Sequence, residues 1–225
     1  MKKVLKYKNI YMLVLLFNFN ITSANDEVIV ERNGIVDGKP INDYVNYWWQ
    51  WAVSMSSSQS PVRDNSGQFC HINQKGSVWF LSGGYGSSKI SRKCSIPKDK
   101  YIFFPVINML YYPPEHSKPS CESVKKSASV NNQFLNSFKV EIDGNKYVNP
   151  VFYRYGSVDC FDLMKLKTNI FNMARVFPAA TDGYWVMLNP LSVGKHKIAF
   201  GAEYYNPNNS YGMMVQDIEY EIEVF

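Results

Sequence analysis

The sequence is short of the residues and motifs that most often carry catalysis. It has only three histidines and four cysteines, and it contains neither a GxSxG nucleophile elbow nor a GxxxxGK(S/T) phosphate-binding loop. The cysteines form no CxxC pair, and the glycines within residues 83–86 are predicted to join two β segments. These absences disfavour a serine hydrolase, a P-loop enzyme and a zinc site, and we expect no metal and no cofactor.

Long apolar runs are also missing, except near the N-terminus. Four lysines among the first eight residues precede a short apolar stretch at residues 10–17, and small residues follow at 22–24. This order predicts a secretory signal peptide over residues 1–24, cleaved after Ala24. A membrane anchor is the alternative, but Asn18 and Asn20 leave the run short of the roughly 20 apolar residues that a span needs.

An excess of one charge is lacking once that segment is removed. The whole chain has 24 basic and 19 acidic residues, a formal net charge of +5. Four of the basic residues lie in the predicted signal peptide, so the net charge of the remainder falls to about +1. Because nucleic-acid binding usually needs a strongly basic surface, we expect no nucleic-acid partner. We predict a secreted or periplasmic protein with no transmembrane segment after signal cleavage.

Export makes the cysteines informative, because disulfides form in oxidising compartments. Cys70, Cys94, Cys121 and Cys160 are even in number, which predicts two disulfides with three possible connectivities. We favour Cys70–Cys94 with Cys121–Cys160, since each pair brackets a plausible structural unit and neighbouring cysteines pair most often. A zinc site is the alternative, but only His71 is close to a cysteine.

Aromatic residues are abundant, at 16% of the chain, and 46% of all residues are hydrophobic. This composition excludes a disordered chain and predicts one globular domain over residues 25–225. Its first helix is predicted over residues 43–55, capped by Asn42 or Asp43. Asn46 and Gln50 fall on the polar side, with Trp49 on the flank. The predicted buried face consists of Tyr44, Trp48, Trp51 and Met55.

Short strands separated by turns dominate the rest of the chain. The apolar run at residues 101–107 is typical of a strand buried on both faces, although Pro105 interrupts it, and residues 108–119 are predicted as a loop. The sequence Asp143-Gly144-Asn145 predicts a hairpin turn.

The last two predicted strands alternate between apolar and charged residues, so Lys195 and Lys197 are expected to face glutamates across the sheet. Further helices are predicted over residues 120–134 and 161–174. The expected fold is mainly β: an antiparallel β-sandwich, Ig-like or jelly-roll in type, with two or three short helices.

Several segments form a recognisable pattern. They are WWQW at residues 48–51, the series Asp64…Gly67…Cys70, QKGSVWFLSG at 74–83, RKCSIP at 92–97, IFFPVIN at 102–108, and the final segments PLSVGKHKIAFGAEY and DIEYEIEV. This pattern resembles a family of secreted bacterial proteins that has no assigned activity. The resemblance implies export, a β-rich fold and the Cys70–Cys94 pairing, and it transfers no catalytic residue. Ser60 stands where that family often has a histidine, so a role for that histidine is not expected.

Four residues are candidates for ligand binding: Trp49, Asp64, His71 and Arg92. The flank position of Trp49 suits stacking against a sugar ring, and core packing is the alternative. Asp64 begins Asp-Asn-Ser-Gly, which has oxygen ligands for calcium but lacks the later bidentate glutamate, so a simple turn is the favoured interpretation. His71 follows a cysteine, and Arg92 lies in RKCSIP.

The export signal, the many aromatic residues and the missing catalytic motifs together predict a binding protein. Its expected target is an extracellular glycan or a host or envelope surface component. A hydrolase of polysaccharide or peptidoglycan is one alternative, with Glu115, His71, Asp159 and Asp162 as candidates. A structural or assembly component of the envelope is the other. His196 is expected to point inward as a structural residue.

Overall fold

The computed structural model describes residues 27–86, 88–166, 176–207 and 213–225. The predicted signal peptide lies outside these residues, as does most of the helix predicted over 161–174. The described helices are α1 (Ile41–Val53) and α2 (Cys121–Ala128), with 3-10 turns at Ser57–Gln59, Asn132–Phe134 and Pro150–Tyr153. The strands are β1 (Ile35–Val36), β2 (Lys39–Pro40), β3 (Val78–Phe80), β4 (Ile90–Ile96), β5 (Tyr101–Tyr111), β6 (Leu135–Ile142), β7 (Asn145–Tyr147), β8 (Arg154–Gly156), β9 (Ala180–Leu188), β10 (Gly194–Tyr205) and β11 (Met213–Val224).

Two sheets pack face to face. One has five strands in the order β4-β11-β10-β6-β7, and the other has four in the order β3-β5-β9-β8. Most neighbouring strands are antiparallel, whereas β4 with β11 and β3 with β5 are parallel. β1 and β2 form a separate hairpin. The predicted fold class, a mainly β sandwich with a few short helices, is confirmed.

Alternating apolar side chains fill the space between the two sheets. Phe104 of β5 stacks on Phe200 of β10 with ring centroids 4.5 Å apart. On the outer face, the register places Lys195 opposite Glu223, and Lys197 lies 3.1 Å from Glu219. The predicted pairing of lysines with glutamates on the last two strands is therefore confirmed.

Helix α1 forms a third layer on the other face of the four-stranded sheet. Its predicted buried face packs against Phe103, Trp185 and Met187, and Phe103 stacks on Trp185 at 5.4 Å. β5 and β9 are therefore buried on both faces, as predicted for residues 101–107. This arrangement explains the continuous apolar sequence of these two strands.

The predicted cap of α1 is wrong. The helix begins at Ile41, after Pro40, and no side chain caps it. Asn42 lies inside the first turn, where its amide donates to the carbonyl of Gly156 instead. Gln50, expected on a polar face, is only 4% exposed because it donates to the carbonyl of Asp162. The segment before β9 thus covers a side of the helix that the sequence pattern leaves polar.

Residues 108–111, predicted as a loop, continue β5 and pair with β9. A register shift between Pro105 and Ile107 marks a bulge, which accommodates the missing N–H of proline without ending the strand.

Two other helix predictions also need correction. α2 ends at Ala128, six residues before the predicted end, and a 3-10 turn follows at Asn132–Phe134. Residues 161–166 form a bridge and turns instead of a helix, because Phe161 pairs with Ala179.

Two disulfides join the favoured pairs. Cys70–Cys94 ties the loop after α1 to β4, and Cys121–Cys160 ties the start of α2 to the segment that precedes β9. They are compatible with a secreted, disulfide-stabilised protein. Within the part of the chain that the structure describes, no helix is both long and apolar enough to cross a membrane.

Candidate functional site

The four predicted ligand residues do not form one site. Trp49 is half-buried, and its indole nitrogen donates to the hydroxyl of Thr181 at 2.8 Å. Its ring meets Trp48 edge to face at 5.0 Å. These contacts place Trp49 in the packing between α1 and β9, which is the alternative raised from the sequence. Contact with a ligand stays a prediction.

Asp64 and Arg92 hold one loop against the sandwich. The Asp64 carboxylate accepts from the backbone and hydroxyl of Ser66 and from the N–H of Phe69, which is the favoured turn. Burial alone would raise the pKa of Asp64, but these hydrogen bonds and nearby Arg92 hold it below its usual range.

Arg92 is 1% exposed and donates to the carbonyls of Asp64, Ser82 and Val62 and to the hydroxyl of Tyr220. Since a ligand would have to displace these contacts, we place the functional site elsewhere.

His71 is exposed and lines a groove of about 840 Å³. We call it the charged groove. It lies where the ends of β4 and β11 meet the start of β10, beside the Cys70–Cys94 disulfide. Its charged walls consist of Lys93, Lys195, Lys197, Asp143, Glu221 and Glu223.

The charges of this groove largely compensate one another. Lys93 pairs with Glu221 at 3.3 Å, and His196 contacts the Asp143 carboxylate at 2.7 Å. The second ring nitrogen of His196 lies 2.8 Å from the carbonyl oxygen of Ser192. The His196 side chain is 11% exposed, in agreement with the inward orientation expected for it. The balance of charges gives this groove no preference for ligands of one sign.

A second groove, of about 380 Å³, combines aromatic and acidic side chains. We call it the aromatic groove, and its volume falls in the range of about 300–1,000 Å³ typical of small-molecule sites. One wall is the N-terminal arm, residues 27–33, and the other is the segment from β7 to the 3-10 turn at Pro150–Tyr153. Its charged and aromatic side chains are Glu27, Glu31, Arg32, Tyr147, Phe152 and Tyr153.

The N-terminal arm is held in place by backbone hydrogen bonds along β9. Ile29 bridges Leu188, and the N–H of Val30 donates to the carbonyl of Met187 at 2.8 Å. The Arg32 guanidinium donates to the carbonyls of Val151 and Arg154 and lies 5.8 Å from the centre of the Tyr155 ring. Arg32 therefore fastens the arm to the 3-10 turn.

Phe152 supplies an accessible aromatic surface in this groove, since it is 55% exposed. Tyr153 is half-buried and is held by stacking on Phe138, with centroids 5.6 Å apart and planes 7° from parallel. Val151 is exposed beside them. A rigid aromatic floor with a solvent-accessible ring suits the apolar face of a ring-shaped ligand.

Burial and nearby carboxylates raise the pKa of the two tyrosines in this groove. Burial raises the pKa of Tyr147, and Glu27 and Asp143 raise it further. Burial also raises the pKa of Tyr153, with contributions from Tyr147 and Glu27. Both hydroxyls therefore stay protonated at neutral pH and can donate hydrogen bonds. Glu27 lines the same groove as both rings.

The hydrolase candidates are scattered in the structure. Glu115 and Asp159 are exposed, and Asp162 accepts from the N–H of Met164 in a local turn. Within the described ranges, no group of three or more His, Cys, Asp or Glu residues could hold a metal ion.

Asp182 is a half-buried carboxylate within a polar network. Its oxygens accept from Arg154 and from the amide of Asn132. Burial raises the pKa of Asp182, although Arg154 acts in the opposite direction. The hydroxyls of Tyr184 and Tyr204 also contact Asn132, so the network links β9 and β10 to the turn after α2. These contacts assign Asp182 a role in packing.

The aromatic groove is not evident from the sequence, because its two walls are more than 110 residues apart in the chain. The cluster Val-Phe-Tyr at residues 151–153 is a local signal of an aromatic surface, and it lies at the end of the predicted hairpin. Compared with known proteins, the chain matches no family model and no curated protein.

Proposed function

We propose that this is a secreted binding protein that recognises an extracellular glycan in the aromatic groove. The observation that carries the proposal is one groove in which an exposed phenylalanine and two tyrosines adjoin carboxylates and an arginine. The signal-peptide pattern, the two disulfides and the resemblance to secreted bacterial proteins support a site of action outside the cytoplasm.

The chemistry of a sugar ring matches this groove. A pyranose presents C–H groups on its face, which pack on an aromatic ring, and hydroxyls on its edge, which both donate and accept hydrogen bonds. Phe152 offers the ring, the tyrosine hydroxyls donate, and Glu27 and Glu31 accept. The site therefore meets both requirements within a single groove.

The test is a glycan array and a pull-down on cellulose, chitin, peptidoglycan and intact cells with the oxidised chain that begins at residue 25. Phe152→Ala is the diagnostic variant, and we expect it to weaken binding about tenfold, since it removes the stacking surface. Tyr112→Ala is the matched control, because Tyr112 is a similarly exposed aromatic, 52% exposed, that lines none of the described grooves. Flat binding on every surface, with a folded protein, would overturn the proposal.

A further inference from the structure

The charged side chains of the aromatic groove differ in whether they already contact other groups of the protein. Glu27 and Glu31 are exposed, and neither has an ion-pair partner among the residues that the structure describes. Arg32, the one cation among the described residues that line the groove, already donates to two backbone carbonyls and lies against Tyr155. A ligand thus meets two carboxylates without an ion-pair partner among the described residues and a cation that is partly engaged by two backbone carbonyls.

Aromatic rings add to the attraction for a cation. The face of an aromatic ring carries partial negative charge, so an ammonium group within about 6 Å of the ring centre is stabilised. Phe152, Tyr147 and Tyr153 line the same groove as the two glutamates. Glu27 affects the pKa of both tyrosines, so its charge and their rings act on the same space.

We propose that the aromatic groove recognises its glycan through a protonated amino group, so that its ligand is an amino sugar whose nitrogen is not acetylated. This inference rests on the proposed function and specifies its ligand class. The sugar ring packs on Phe152, and its ammonium group lies between the aromatic faces and the carboxylates of Glu27 and Glu31. A uronic or sulfated sugar would meet those carboxylates with like charge.

Two soluble trisaccharides provide a matched pair of probes. The β-1,4-linked trimers of glucosamine and of N-acetylglucosamine share the same ring and linkage, and they differ in whether nitrogen is charged. Calorimetric titration at pH 6 and low salt should show at least tenfold tighter binding of the glucosamine trimer. The preference should shrink as salt rises from about 0.05 to 0.5 M, because screening weakens the interaction with the exposed carboxylates.

Variants test whether Glu27 and Glu31 cause the preference for the glucosamine trimer. Glu27→Gln with Glu31→Gln should reduce the ratio of the two affinities to near one, mainly by weakening binding of the glucosamine trimer, because glutamine keeps an acceptor oxygen but removes the negative charge. Glu115→Gln is the matched control, since Glu115 is also exposed but lies outside the described grooves, and the ratio should not change. Phe152→Ala should weaken both trimers, because it removes the surface that both rings share.

The outcomes separate this inference from the proposed function. Equal affinity for the two trimers, with both weakened by Phe152→Ala, overturns the amino-sugar preference and leaves glycan binding in place. A preference that survives the double glutamine variant overturns its assignment to this groove. Failure of both trimers to bind, while another glycan is retained on the array, overturns this inference alone. Failure of every glycan overturns both.

Discussion

Replacing Arg92 tests whether this buried cation serves the fold or a ligand. Its side chain is almost fully enclosed, and its guanidinium contacts the loop at residues 62–64, the segment after β3 and Tyr220. The change considered is Arg92→Met, which keeps much of the length and apolar stem of the side chain but removes every hydrogen-bond donor. If the contacts are structural, this change must lower the free energy of unfolding.

The size of the loss follows from the acceptors that the change leaves behind. The carbonyl of Asp64 loses a 2.6 Å hydrogen bond and that of Val62 a 3.4 Å one, whereas the Ser82 carbonyl keeps a bond from Tyr220. A buried acceptor left unpaired costs about 1–3 kcal/mol, and part of this is offset because methionine has no charge to desolvate. We expect a loss of about 3 kcal/mol. For a chain of this size, that loss lowers Tm by about 6–12 °C.

Urea denaturation of the oxidised chain measures the change directly, with glycan binding measured on the same samples. Arg63→Met is the control, because Arg63 is exposed and lies 5.4 Å over the ring of Tyr85; its effect should stay within about 0.5 kcal/mol. A loss under about 1 kcal/mol for Arg92→Met, together with weaker glycan binding, would refute the structural role and restore Arg92 as a ligand residue.

Three further perturbations follow from the same structure. Cys121→Ser with Cys160→Ser should cost about 4 kcal/mol in urea denaturation, because it frees a 39-residue loop; a loss under about 1 kcal/mol would contradict a structural bridge. Trp49→Ala should cost about 2–4 kcal/mol and leave glycan binding of the folded fraction unchanged, since its ring packs in the fold; unchanged stability with lost binding would show the reverse. The lowered pKa of Asp64 means that it stabilises the fold above its unfolded pKa and that this stability is lost as pH falls through the folded pKa. Asp64→Asn should therefore flatten the decline in Tm between neutral and acidic pH, and an unaltered decline would contradict this.

Much of the fold is predictable from the sequence because its strongest signals are local. The alternation in β11, the Asp143-Gly144 turn and the apolar run of β5 each follow from patterns a few residues long. The errors arise where distant segments decide the outcome. Gln50 is polar by sequence, yet the segment at Asp162 covers it, and β5 continues past Pro105 because β9 pairs with it on both sides of a bulge.

The candidate site was less predictable for the same physical reason. Trp49 and Arg92 are residue types that bind ligands, but here each finds its partner within the protein, at Thr181 and at the carbonyls of a loop. Residue type indicates what a side chain can do, whereas its surroundings determine whether that capacity is already used. The sequence around Phe152 gives no sign of a binding groove. The groove forms only because the arm, more than 110 residues earlier in the chain, lies opposite Phe152.

That arm links the stability of the fold to its proposed activity. Residues 28–30 form backbone hydrogen bonds with the end of β9. The Arg32 guanidinium donates to a carbonyl of the 3-10 turn that carries Phe152. The arm therefore covers a strand and also brings Glu27 and Glu31 to the aromatic floor. The arm is held by backbone hydrogen bonds to β9, by the buried side chain of Ile29 and by Arg32. The proposed ligand, which contacts both walls, would bind only the docked form and would stabilise it by RT ln(1 + L/Kd), where L is the free ligand concentration. In this fold, one segment both covers the end of β9 and completes the proposed site.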